Sequence, residues 1–135
     1  MRYVSILFAL VLFAGVASAG EQTFSFHYNN QNAYYSCDYA EAQVVKVLTA
    51  LGAENISTNC HGGLDYYQLW PVSVKAVYTL TAKGERTVVL KGNESCDFNV
   101  SLIKNALKNF DHEVVKAQSS CWDASGRYHF EVIVR

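Results

Sequence analysis

The side chains able to do chemistry in this chain of 135 residues are chiefly four cysteines and four histidines. The cysteines are Cys37, Cys60, Cys96 and Cys121, and the histidines are His27, His61, His112 and His129. A cysteine nucleophile must be a free thiolate. Cys60-His61 sets a base beside a thiol, but neighbouring strand residues point to opposite faces, so the two do not meet without a turn. No C-x-x-C redox motif, G-x-S-x-G elbow, phosphate-binding glycine loop or dinucleotide fingerprint occurs. His112-Glu113-Val114-Val115-Lys116 begins like a zinc-protease helix motif, but Lys116 stands where the second histidine must be. His27 and His129 fall on the polar sides of strand-like stretches. As neighbours they would share a surface site with Glu131 or Lys75, yet a metal site wants three or four ligands and nothing fixes the rest. The reading therefore assigns no catalytic residue, no metal ligand and no cofactor. A small secreted metal-binding protein or enzyme working through surface histidines stays as an alternative.

Nine tyrosines are the least ordinary feature of the composition. They gather in Tyr28-Asn29-Asn30-Gln31-Asn32-Ala33-Tyr34-Tyr35 and in Leu64-Asp65-Tyr66-Tyr67-Gln68-Leu69-Trp70. Tyrosine and tryptophan beside asparagine and glutamine supply flat apolar area with hydrogen-bonding edges, which is what recognition surfaces use. Tyr34, Tyr35, Tyr66, Tyr67 and Trp70 are the candidate binding residues. The competing reading has these rings plugging the ends of a small core.

Whether the cysteines are free depends on the compartment, and the first residues bear on that. Arg2 is the only charge before Glu21. An apolar run over residues 4–16 leads to Ala17-Ser18-Ala19. A charged start, a short apolar core and an A-x-A site make a secretory signal peptide over residues 1–19, with the mature domain at 20–135. The run falls short of the roughly 18 residues that span a bilayer. Secretion or a periplasmic location, with an even cysteine count, implies two disulfides.

The elements that must position these residues come in two related sets. Ser36-Cys37-Asp38-Tyr39 recurs as Ser95-Cys96-Asp97-Phe98, 59 positions on. Each copy opens a helical pattern, and the same offset carries Val44 onto Ile103, Leu48 onto Leu107 and Leu51 onto Phe110. Ser36 and Ser95 are suited to cap the helices, Asp38 and Asp97 suit their first turns, and Gly52 stops the first. Alternating stretches at 23–28, 72–80 and 128–134 read as strands, 86–90 reads as a shorter strand, and 55–60 and 113–118, after each helix, carry weaker strand signals. Lys83-Gly84-Glu85 reads as a turn joining the strands at 72–80 and 86–90. The expected fold is α+β: a two-layer sandwich from a duplicated βαββ unit, with pseudo-repeats at about 21–82 and 83–135. It has one mixed sheet with both helices on one face. In a strand–helix–strand crossover the helix starts where a parallel second strand finishes. That pairs Cys37 with Cys60 and Cys96 with Cys121, each bridge worth about 3 kcal/mol by chain entropy.

Net charge is −1, with 11 basic and 12 acidic residues. No basic excess argues for nucleic acid, and no second apolar run holds the mature chain in a membrane. The sequons at Asn55, Asn93 and Asn99 carry no weight. The expected function is a secreted or periplasmic, non-catalytic binding or inhibitory module. It recognises an extracytoplasmic protein or glycan through its tyrosine-rich loops. A structural, self-assembling secreted protein is the third reading.

Overall fold

The computed structural model describes residues 20–30, 33–64, 69–81 and 84–135. The expected leader at 1–19, and Tyr66 and Tyr67, lie outside the described residues. The elements run β1 (Glu21–Tyr28), α1 (Cys37–Leu51), β2 (Ala53–Leu64), β3 (Leu69–Leu80), β4 (Arg86–Gly92), α2 (Cys96–Leu107), β5 (His112–Trp122) and β6 (Ser125–Val134). They form two helices and two three-stranded antiparallel sheets, ordered β1-β3-β2 and β4-β6-β5.

Alternation explains the strands. Phe24, Phe26 and Tyr28 of β1 and Val72, Val74, Ala76 and Tyr78 of β3 are buried, while the residues between them face outward. In each sheet the last strand pairs with both earlier ones, as Val74 does with Phe26 and with Cys60. β1 and β2 therefore run parallel with β3 between them, and their C-terminal ends lie together. The helix that follows β1 starts at that end. Disulfides join Cys37 to Cys60 and Cys96 to Cys121, with Cα atoms 5.7 and 5.4 Å apart.

Two antiparallel three-stranded sheets stand where one mixed sheet was expected. Each crossover leaves a gap between its two parallel strands, and the next strand folds back into that gap, so every pairing is antiparallel. The chain from β3 to β4 is not a hairpin either. Both edges of β3 are already taken by β1 and β2, and β4 pairs with β6; Lys83 of the expected turn lies outside the described residues.

The helices lie side by side with their N-termini at one end. Phe98 of α2 sits 5.7 Å from the Tyr39 ring of α1 and 5.3 Å from Phe26 of β1. At the other end, Arg86 of β4 donates to the Leu51 carbonyl of α1 at 2.5 Å. Each helix thus touches the other half's sheet. Gly52, at φ 106°, ends α1 in the left-handed region, and a Cβ there would collide with the Arg86 guanidinium.

The helix starts differ. Ser36 caps α1, its Oγ accepting from the Tyr39 N–H at 3.2 Å. Ser95 takes a left-handed conformation at φ 43° and makes no side-chain cap, contrary to the sequence expectation. The first free N–H groups of α2, on Cys96 and Asp97, donate instead to the Ala124 and Asp123 carbonyls, each at 3.1 Å. The turn between β5 and β6 does the capping, so the serine hydroxyl is not required.

Candidate functional site

The loop between β1 and α1 is anchored from below. Tyr28 donates from its hydroxyl to Asp97 Oδ2 at 3.0 Å, and Asn30 Nδ2 donates to the same carboxylate at 3.2 Å and to the Tyr28 oxygen at 3.0 Å. Burial pushes the Tyr28 phenol well above its ordinary pKa, against the opposing effect of the Asn30 hydrogen bond.

Tyr35 belongs to the same cluster. Its ring lies 4.6 Å from Phe98, 5.3 Å from Tyr39 and 5.6 Å from Tyr28, and burial raises its pKa as well. Tyr35 is half-buried and packs against the core. Its neighbour Tyr34 is 38% exposed.

The second tyrosine-rich stretch joins β2 to β3. Leu64 pairs with Leu69 where the strands meet it, and Leu64, Leu69 and Trp70 are 49, 59 and 53% exposed. Three features hold this end of the sheet to the loop before α1. The Cys37–Cys60 disulfide crosses between them. The Leu64 N–H donates to the Tyr35 carbonyl at 2.8 Å. Gly63, at φ 83°, passes so close that a Cβ would sit 2.9 Å from the same carbonyl oxygen. Tyr34, Tyr35 and Trp70 consequently border one small crevice with Pro71. Three of the five candidate residues are together, and the other two lie outside the described residues.

The histidines fall differently from the expectation. β1 neighbours β3, and β6 lies in the other sheet, so His27 and His129 are not on adjacent strands. His27 instead shares a row with His61, one on each side of Ser73. Among the described residues, the one cluster of three potential metal ligands is Cys37, Glu41 and Cys60. Both of its sulfurs are tied in a disulfide, so it offers no thiolate. No cysteine is free, which removes a thiolate nucleophile at Cys60-His61.

Sequence reasoning passed over one further region. Trp122, at the end of β5, is 83% exposed, the most exposed of the large apolar side chains described. Its position directly before the Asp123-Ala124-Ser125-Gly126 turn is a signal that a hairpin end carries it. Beside it, on the outer face of the second sheet, a groove of about 620 Å³ crosses β4, β6 and β5.

Comparison with family models, curated proteins and solved structures found no match to this chain.

Proposed function

We propose that this is a secreted or periplasmic, non-catalytic binding or inhibitory module that recognises an extracytoplasmic protein or glycan. The aromatic end of the first sheet makes the contact. The observation that carries this reading is the exposed Leu64, Leu69 and Trp70, with Tyr34 beside them, on a frame fixed by a disulfide and by a buried ring cluster. Such a surface loses little conformational entropy on binding, because its backbone is already held. Two leucines beside a tryptophan suit an apolar protein surface better than a sugar. The two disulfides fit an oxidising, extracytoplasmic compartment, and no helix among the described residues is long and apolar enough to cross a membrane.

A duplicated βαββ unit accounts for the architecture in this reading. Its support is the 59-residue recurrence of Ser-Cys-Asp-aromatic, the repeated order of elements, and a disulfide from each helix start to the strand after it.

Native mass spectrometry of the protein from its own host, without reductant, tests the function. The expected species has lost two hydrogens per bridge and carries a stoichiometric macromolecule. Trp70→Ala and Tyr34→Ala should release that partner and leave the melting temperature nearly unchanged. Tyr35→Ala should lower the melting temperature by removing a core ring. A bare monomer, or a partner retained by Trp70→Ala, overturns the proposal.

A further inference from the structure

We propose that the outer groove of the second sheet binds an anionic oligosaccharide, with sulfate or carboxylate groups, independently of the aromatic end of the first sheet. The strand register builds the site. Lys91 on β4, His129 on β6 and Gln118 on β5 stand in one row across the sheet. Arg127 and Ser120 form the next row. Alternate residues of a strand share a face, so these five side chains project together, away from the helices. They line the groove, with Asn93 at its rim.

Charge defines the ligand's sign. Lys91 and Arg127 are exposed and make no ion pair among the described residues, and no acidic residue lines the groove. The nearest acid on this face along β6 is Glu131, one row further on and opposite Lys116. Two unneutralised cations beside an imidazole form an anion site that reads charge from a distance and hydrogen-bonds it at contact.

The rest of the lining selects the ligand's class. Gln118, Ser120 and Asn93 offer amide and hydroxyl groups to ring hydroxyls. The aliphatic stems of Lys91 and Arg127 offer flat apolar surface to sugar C–H faces. Trp122 pairs with Ser125 one row beyond Arg127, on the same face, where its exposed ring can stack on a sugar. An acidic peptide fits less well. Peptides on sheets add to a free edge or fill side-chain pockets, whereas this groove crosses β6, whose two edges are both paired. The volume is that of a site for a ligand of a few rings.

Calorimetric titration of the disulfide-intact chain at low salt provides the test. The probes are a heparin-derived hexasaccharide, hexagalacturonate, neutral maltohexaose and hexaglutamate peptide. At least one of the two anionic sugars should bind, with maltohexaose and the peptide each weaker by about tenfold or more. Lys91→Gln and Arg127→Gln should each weaken the sugar by roughly tenfold, the loss of one charge-assisted hydrogen bond. Their melting temperatures should match the parent. Added salt should weaken binding, and Trp122→Ala should weaken it further. Trp70→Ala should leave it unchanged, which separates this site from the aromatic end of the first sheet. Failure of both anionic sugars to bind, equal binding by the Arg127→Gln and Lys91→Gln variants, or binding of hexaglutamate as tight as that of the sugar overturns the proposal.

Discussion

The two halves of the molecule use one order of elements and bury their helices to different extents. In the first, α1 buries a single stripe of Ala40, Val44, Val47, Leu48 and Leu51. In the second, α2 buries Cys96, Phe98, Asn99, Val100, Leu102, Ile103, Ala106 and Leu107, which spread over more than half of its circumference. The outer strands show the reverse. Alternate residues of β2 are at least half covered, whereas every residue of β5 after His112 is exposed. α2 turns part of its apolar surface to β1, through Phe98, and β5, tied to α2 by the Cys96–Cys121 disulfide, is covered less than β2. Burial gained between the halves is burial lost within the second one. The first half accordingly exposes Leu64, Leu69 and Trp70 at one end of its sheet, and the second exposes Val114, Val115 and Trp122 along β5.

The strongest test of this asymmetry compares Phe98 with Tyr39, its counterpart by the 59-residue offset. Phe98 is fully buried and meets the Phe26, Tyr28, Tyr35 and Tyr39 rings of the first half, while Tyr39 is half-buried. Phe98→Ala should destabilise by about 3–5 kcal/mol in a urea titration and Tyr39→Ala by clearly less. Equal losses would mean that the helices are covered alike.

A smaller effect separates the halves by pH. Tyr28, Tyr35 and Tyr78 in the first half and Tyr128 in the second all have raised pKa values, chiefly through burial. A phenol whose folded pKa lies above its unfolded value contributes stability that is complete below about pH 10 and is lost as pH rises through the folded pKa. Stability should therefore fall on alkaline titration. Replacing Tyr28 and Tyr35 by Phe should flatten that fall more than Tyr128→Phe does. An unchanged alkaline slope in the double variant would refute the assignment.

The smallest contrast lies at the helix caps. Ser36→Ala should lower stability by about 1 kcal/mol, and Ser95→Ala should leave it within error, because the β5–β6 turn already satisfies the start of α2. A matching loss at Ser95 would show that the two helix starts are held alike after all.

Much of the frame was legible in the residues. Alternation located β1, β3 and β6, because a half-buried strand must alternate, whereas β2 and the exposed β5 gave only weak strand signals. Gly52 marked the end of α1, because the left-handed cap excludes a Cβ. The cysteine spacing pointed to the bridges once the crossover placed helix start and strand end together. These are local facts, or facts about chain segments a few dozen residues apart. Other outcomes depended on which strand filled which gap. The return of β3 and β6 into the crossovers turned one mixed sheet into two antiparallel ones. It put His27 in a row with His61 and left His129 beside Lys91. It drew Tyr35 under Phe98 while leaving Tyr34 exposed, and it gathered Lys91, Gln118 and Arg127 from three strands into one groove. A sequence records the period of each segment, and so which residues share a face. Which faces then meet is set by the competition of all segments for the same buried area, and that is settled only when the chain packs.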